Sequence, residues 1–269
     1  MQSSVALVTG GGGAGTGRAV SRRLAAGGAA VVVADIDVEA ALETVRAVEA
    51  DGGRAAFVRA DVTSEADVAA TIAFAAETFG GLDVLVNSAG GTPDPHFPDA
   101  PAEHWGRTLD LNLRGPMVAI QHALPLLARR GGAVVNIASV AGLGFRPAVS
   151  PEYAAAKAGL IRLTAALGRL AADQRVRVNC VVPDWIRTPS IAARYPQGGP
   201  GLPERMTTPD EIAGAVADLI ADDALAGRVL VCWCDGPWAL IADGDDGYRE
   251  FTVRSARALG STGPRPAAG

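Results

Sequence analysis

The sequence predicts an α/β domain built on a doubly wound, seven-stranded parallel sheet with helices on both faces. Three observations predict it. Valine-rich runs of strand length alternate with helix-length segments along the chain. The runs are almost continuously apolar, as strands are when both sheet faces are covered. The first run passes directly into a glycine cluster that opens a helix.

In chain order the strands are VALVT (5–9), AVVVAD (30–35), AAFVRA (55–60), LDVLVN (82–87), AVVNIA (133–138), RVRVNCVV (175–182) and RVLVCW (228–233). Helix starts fall at Asp37, at Thr63 or Ser64, and at Pro209-Asp210-Glu211, where a short acceptor side chain or an early acid meets unpaired amides. The stretch YPQGGPGLP (195–203) breaks the alternation. With four prolines from Pro189 to Pro203 it continues no element, so a surface lid is expected around 186–207. One domain is expected over 1–243. A solvated extension follows over 244–269, and its GSTGPRPAAG end has the composition of a disordered terminus.

Composition excludes several classes of function. A length of 269 residues suits one large α/β domain, and a net charge of -5 leaves no basic face for nucleic acid. No apolar run reaches about 18 residues, so no membrane span is expected and the chain reads as a soluble cytoplasmic protein. The three cysteines, Cys180, Cys232 and Cys234, sit in apolar strand contexts that suit reduced thiols. Period-two geometry puts Cys232 and Cys234 on one strand face. A zinc site needs three or four ligands, though, and His96, His104 and His122 supply no matching cluster, so core packing is the expected role.

The segment TGGGGAGTGRAV follows the first strand. Glycines in such a turn let backbone amides approach a pyrophosphate, and the helix N-terminus adds partial positive charge. Gly10, Gly12 and Gly15 satisfy G-x-G-x-x-G, a weak signal alone. Context strengthens it. Asp35 ends the second strand about 20 residues after Gly15, where a carboxylate accepts from the adenosine ribose and repels a 2′-phosphate. No arginine stands at 36–38, so NAD is expected over NADP. The competing reading makes Asp35 or Asp37 an ordinary helix cap.

Lys157 is the only lysine, against 23 arginines. Codon bias accounts for the scarcity but not for the exception. A guanidinium stays protonated in proteins, whereas an ammonium shifts its pKa readily and can share a proton. Lys157 follows Tyr153 by four residues, which stacks the two on one helix face. A free phenol titrates near 10, too high for a base at neutrality, and a cation one turn away favours the phenolate. The bland alternative is an alanine-rich amphipathic helix on which Lys157 snorkels and Tyr153 packs.

With these residues in order, the first 235 or so positions resemble the short-chain dehydrogenase/reductase family. The motifs are the glycine loop, ADV (60–62), NSAG (87–90), Asn112 in LNLRG, Ser139 in VVNIASVAG, Tyr153-x-x-x-Lys157 and PDWIRT (183–188). The resemblance implies a Rossmann fold and hydride transfer between NAD and a small-molecule alcohol or ketone. It makes Tyr153 the general acid/base, Ser139 the holder of the substrate oxygen, Lys157 a ribose ligand that lowers the phenol pKa, and Asn112 part of a water-linked proton path. It also implies that Gly10, Gly12, Gly15, Gly17, Asp35, Asp61, Val62, Asn87, Ala89, Gly90, Pro183 and Thr188 surround the cofactor. Asp61 equally suits a loop residue before a helix, and Asn87 suits a structural role as well as a ligand. A homo-oligomer, tetramer or dimer, is implied too.

The chain departs from the family pattern at four places. The glycines after Thr9 come one residue late, although Gly11, Gly15 and Gly17 recover the spacing with Gly10 in place of threonine. Pro147 and Pro151 lie between Ser139 and Tyr153 and reshape that loop. Asp184 stands where a glycine is usual: it either attracts a cationic substrate group or faces solvent from a turn, and turn chemistry favours the second. The ending CDGPWALIADGDDGYRE replaces a short glycine-rich one. The stretch PDPHFP (93–98), Phe145, Arg146, Trp185 and the lid are expected to line the substrate pocket; His96 either touches substrate or is a solvated loop histidine, and the second is favoured. Two other readings remain: a redox-neutral epimerase or dehydratase that retains NAD, and a non-catalytic nucleotide-binding regulator, which on this fold often lacks the tyrosine and lysine.

Overall fold

The computed structural model describes residues 4–92, 94–144, 148–195, 202–244 and 246–247. Its first half runs β1 (Val5–Thr9), α1 (Thr16–Ala26), β2 (Ala30–Asp35), α2 (Val38–Ala50), β3 (Arg54–Arg59), α3 (Glu65–Phe79) and β4 (Val84–Asn87). There follow α4 (Ala102–Leu109), a π-helical turn (Asp110–Arg114), α5 (Gly115–Arg130), β5 (Ala133–Ile137), α6 (Pro151–Ala166) and α7 (Leu170–Gln174). The chain continues through β6 (Arg177–Pro183), α8 (Pro189–Arg194), α9 (Pro209–Ala221), β7 (Val229–Cys232) and β8 (Ala239–Leu240).

The strands form one sheet in the order β3-β2-β1-β4-β5-β6-β7-β8. β1 pairs with both β2 and β4 in parallel, Val8 lying opposite Val33 on one side and Val86 on the other. Strand order therefore reverses at β1, and a crevice opens beyond the carboxyl ends of β1 and β4. Helices α1, α2 and α9 bury Val20, Val45 and Ile212 on one face, while α3, α5 and α7 bury Ile72, Ile120 and Leu170 on the other.

Seven strands are parallel, as the valine runs predict, but the sheet has an eighth. β8 runs antiparallel to β7, with Leu240 opposite Leu230. The chain reverses at Asp235-Gly236-Pro237, and Arg228 holds the return by donating to the Ile241 carbonyl at 2.7 Å and pairing with Asp243 at 2.9 Å. Two residues carry no periodicity of their own, so this edge cover is invisible in the sequence.

Helix starts match the capping chemistry. Asp37 and Ser64 accept from Ala40 N and Asp67 N, and Thr208 forms a reciprocal capping box with Glu211. The proline-rich 189–203 segment differs from expectation at its beginning: Pro189 opens α8, because proline is tolerated at the first helical position where its missing N–H has no partner to lose. The segment's ends are pinned by Thr207, which donates to the Trp185 carbonyl at 2.8 Å, and by Arg187 N, which donates to the Thr207 carbonyl at 2.8 Å. Residues 196–201 of the expected lid, and all of the expected extension beyond 247, lie outside the described residues. Among the described residues no helix is long and apolar enough to cross a membrane, and no cluster of metal-ligating side chains occurs. All three cysteines are free and buried.

Arg177, at the start of β6, caps α9 from outside by donating to the carbonyls of Leu219 at 3.1 Å, Ile220 at 2.7 Å and Asp222 at 3.0 Å. These are helix-end carbonyls with no intrahelical partner. Arg177→Ala is expected to destabilise the fold by about 1–3 kcal/mol. Urea unfolding measures it.

Candidate active site

The glycine loop closes tightly at the switch point. Gly10 adopts φ +65°, and a Cβ there would stand 2.6 Å from Ala89 Cα, so only glycine lets β1 and the segment after β4 meet. A Cβ on Gly17 would run into the Gly10 carbonyl oxygen. Gly15 N donates to the Gly13 carbonyl at 2.7 Å, and this tight turn takes up the residue by which the loop is long. Gly15 caps α1 without a side-chain acceptor, which leaves the helix N-terminus open toward the crevice.

Asp35 is not a helix cap. Its Oδ2 accepts from Gly12 N at 2.8 Å and its Oδ1 from Asp37 N at 3.0 Å, while Asp37 caps α2. A carboxylate has about four acceptor positions, so Asp35 retains capacity for ribose hydroxyls. Arg18 braces the loop from behind, donating to the Gly12 carbonyl at 2.9 Å and to Thr44 Oγ1 at 3.0 Å. The resulting cleft encloses about 530 Å³ and is lined by Gly10, Asp35, Asp61, Val62, Ala89 and Gly90 among others. Within it Asp61 Oδ1 accepts from Thr63 N at 2.9 Å and Thr63 Oγ1 at 2.7 Å, the turn role weighed for it, while the residue still faces the cleft. A concave site of this size, with an uncapped helix N-terminus and a fixed carboxylate at the far end, fits a dinucleotide.

The opposite wall was not anticipated. His104, Arg107, Thr108 and Leu111 line the same cleft. Their spacing of three, one and three residues places them on one helical face, a signal the sequence carries and a reading centred on the glycine loop passes over.

Asn87 and Asn112 are both buried and hydrogen-bonded to neighbouring elements. Asn87 Nδ2 donates to Asn136 Oδ1 at 2.8 Å, and Asn136 Nδ2 donates to Thr164 Oγ1 at 2.9 Å, a buried chain that ties β4 and β5 to α6. Asn112 occupies the π-helical turn, and its Nδ2 donates to the Thr108 carbonyl at 2.9 Å. The second Nδ2 donor reaches the Gly91 carbonyl at 2.8 Å, and Oδ1 accepts from Gly91 N at 3.1 Å. Both amide donors are thus occupied by backbone.

At the crevice's other end stand Ser139, Tyr153 and Lys157. Pro151 opens α6, and Tyr153 and Lys157 share one face, with Lys157 Nζ 5.5 Å from the phenol ring centroid. Lys157 does not snorkel: it is buried, and Nζ donates to the Ile137 carbonyl at the end of β5, 2.9 Å away. Burial pulls its pKa from 10.5 down to about 8, against an opposing pull from Cys180. Burial pushes the Tyr153 phenol above 10.0, and a hydrogen bond with Ser139 works in the other direction. A Cβ on Gly90 would lie 2.8 Å from Asn112 Oδ1 and 3.2 Å from Lys157 Nζ, so glycine there lets amide and ammonium close on one point. Gly142 likewise lets the loop after Ser139 lie on α6, since a Cβ would stand 2.5 Å from the Lys157 carbonyl carbon.

Other expected positions fall around this group. Pro183 ends β6 opposite Cys232, and Thr188 caps α8 with its methyl group turned to Gly15. Asp184 corrects the solvent-facing expectation: it is half-buried, burial raises its pKa, the amides of Cys234 and Trp185 oppose the shift, and Asp235 adds to it. The carboxylate is therefore a tie between the ends of β6 and β7. His96 is likewise not solvated, its side chain being 9% exposed. Pro93, Phe145, Arg146 and Pro147 lie outside the described residues.

Comparison with known proteins gives a consistent picture. The short chain dehydrogenase family profile matches residues 4–197. The chain is 38% identical over 232 residues to cyclohexanol dehydrogenase of Acinetobacter sp. (strain SE19), covering 82% of this chain and 89% of that protein. It is 39% identical over 241 residues to cis-4-hydroxycyclohexanecarboxylate dehydrogenase of Sinomonas cyclohexanicum, covering 84% and 93% respectively. A solved short-chain dehydrogenase/reductase from Burkholderia xenovorans superposes with a TM-score of 0.76 at 33% identity, over 86% of this chain and 95% of that one. With this match spanning sheet, glycine loop and the Ser139, Tyr153 and Lys157 group, the chain belongs to the short-chain dehydrogenase/reductase family of oxidoreductases, whose dehydrogenases use a nicotinamide cofactor.

Proposed function

We propose that this protein is an NAD-dependent dehydrogenase that interconverts a cyclic secondary alcohol and its ketone, with Tyr153 as general acid/base. The observation that carries the reading is the convergence of a phenol, a hydroxyl and a buried ammonium beside Gly90, which lines a dinucleotide-sized cleft. The substrate class rests on the two relatives named for cyclohexanol and a hydroxycyclohexane carboxylate.

In the oxidation direction Ser139 Oγ holds the substrate oxygen and Tyr153 Oη accepts the hydroxyl proton as the C–O bond becomes a carbonyl. A nicotinamide held by the glycine loop, Asp35 and Lys157 would supply the hydride acceptor for the carbinol carbon. The phenol needs help to act as a base, because burial favours its protonated form. The hydrogen bond with Ser139 acts against that burial, and a cation 5.5 Å from the ring, as Lys157 is, favours a phenolate on general electrostatic grounds. Lys157, near 8, is cationic at neutrality yet close enough to exchange a proton, which an arginine is not. Asp35, fixed by two amides, is the proposed selector for NAD: a 2′-phosphate would meet its carboxylate.

Tyr153→Phe is expected to lower alcohol oxidation about 10³-fold with NADH affinity unchanged, read by NADH absorbance and fluorescence titration. Near-normal turnover removes Tyr153 from the mechanism, and alcohol-dependent product without free NADH favours the redox-neutral alternative. Asp35→Ala is expected to shift cofactor preference toward NADP by about tenfold in kcat/KM. Equal use of NAD and NADP by the unaltered enzyme would refute the selector role. Lys157 also makes stability depend on pH. Its folded value lies below the unfolded one, so between about 8 and 10.5 the unfolded chain holds a proton the folded chain has released, and stability rises with pH across that window. Lys157→Met is expected to abolish turnover, raise the apo-protein's melting midpoint at pH 7 and remove that rise, as thermal melts at pH 7 and 9.5 would report.

A further inference from the structure

The segment after β4 is fastened to the catalytic helix by a contact that hydride transfer does not require. Glu152 directly precedes Tyr153 in the first turn of α6, and its side chain is only 5% exposed. A buried carboxylate needs a counter-charge or well-aligned donors. Neither Glu152 oxygen has a partner in hydrogen-bond alignment, although its own amide, Ser150 and His96 stand close enough to hold the carboxyl below its ordinary range against the upward push of burial. The sole ion-pair partner among the described residues is His96, with Nδ1 3.3 Å from Oε1. The opposite ring nitrogen, Nε2, lies 2.9 Å from Asp94 Oδ1, a carboxylate 70% exposed to solvent. Thr92 completes the junction: its hydroxyl donates to Ser150 Oγ at 2.8 Å and stands 3.3 Å from His96 Nδ1.

We propose that His96 is a positioning residue of the substrate pocket: gripped between Glu152 and Asp94, its imidazole fastens the loop at 94–98 to the turn that carries Tyr153. The inference rests on the reading of Tyr153 as the acid/base. Several placements support it. Gly91, at the loop's base, is fixed by Asn112, and Phe97 packs on Trp105 of α4 with centroids 5.2 Å apart. The loop is thus anchored at its root and its far side, and His96 supplies the tie to α6. The tie lies one residue before Tyr153, so loosening it alters the shape of the pocket beside the phenol, and with it substrate fit, before it alters chemistry or cofactor binding.

His96→Ala tests this, with amide exchange on the free enzyme and kinetics with cyclohexanol and NAD. Faster exchange confined to the loop amides, with β4 unchanged, is expected, together with a KM for cyclohexanol raised about tenfold and kcat and NADH affinity held. Adding Glu152→Gln, which removes the stranded buried charge, is expected to recover part of the KM. Asp94→Asn, at a solvent-exposed group, should move exchange and KM in the same direction by less. It also serves if His96→Ala fails to fold. Unchanged loop exchange, an unchanged KM, strictly additive effects in the double variant, or a parallel loss of NADH affinity would each overturn the proposal. If the unaltered enzyme oxidises no alcohol, the proposed function fails while the exchange measurement still decides whether His96 ties the loop.

Discussion

Lys157 Nζ is a desolvated ammonium, and the site is organised around keeping it so. The Ile137 carbonyl holds it at the end of β5, and α6 buries its stem beneath the phenol of Tyr153. Burying a cation is unfavourable in itself, which appears here as a pKa reduced to about 8. Glycines at 90 and 142 allow the two neighbouring segments to close over it, because any side chain at either position would meet Asn112, Lys157 or the backbone of α6. The arrangement stores in the folded state a desolvated charge next to the Tyr153 ring.

That charge works only because the sheet delivers it to the right place. Parallel strands send all their carboxyl ends to one edge, so the glycine loop after β1, Asp35 at the end of β2 and Gly90 after β4 share a crevice despite their separation in the chain, and Ser139 follows β5 at the same edge of the sheet. Buried amides then lock the strands in relation to α6. The chain from Asn87 through Asn136 to Thr164 spans β4, β5 and the helix that carries Tyr153 and Lys157. Fully satisfied polar networks of this kind specify one arrangement where apolar packing alone would tolerate several.

Departures from the family pattern resolve into local structure. The longer glycine loop is drawn into a turn at Gly13 to Gly15, and Asp184 exchanges a flexible glycine for a carboxylate bound by the amides of Trp185 and Cys234. The ending after Cys234 folds back as β8 and covers the edge of β7, so residues that read as an appended segment complete the sheet.

Local properties were legible in the chain: seven parallel strands from continuous apolar runs, helix starts from Asp37, Ser64 and the 209–211 run, and a shared helix face for Tyr153 and Lys157. Each depends on residues within a few positions of one another, where periodicity and capping chemistry operate. The wall formed by His104, Arg107, Thr108 and Leu111 was equally local in its spacing, but nothing near it in sequence says which cleft that face closes. Only tertiary structure could decide that Lys157 is buried, that Asp35 is held by Gly12, that Asn112 spends both donors on backbone, and that His96 meets Glu152. Desolvation and hydrogen-bond satisfaction are set by groups tens of residues away, and spacing along the chain has no term for them.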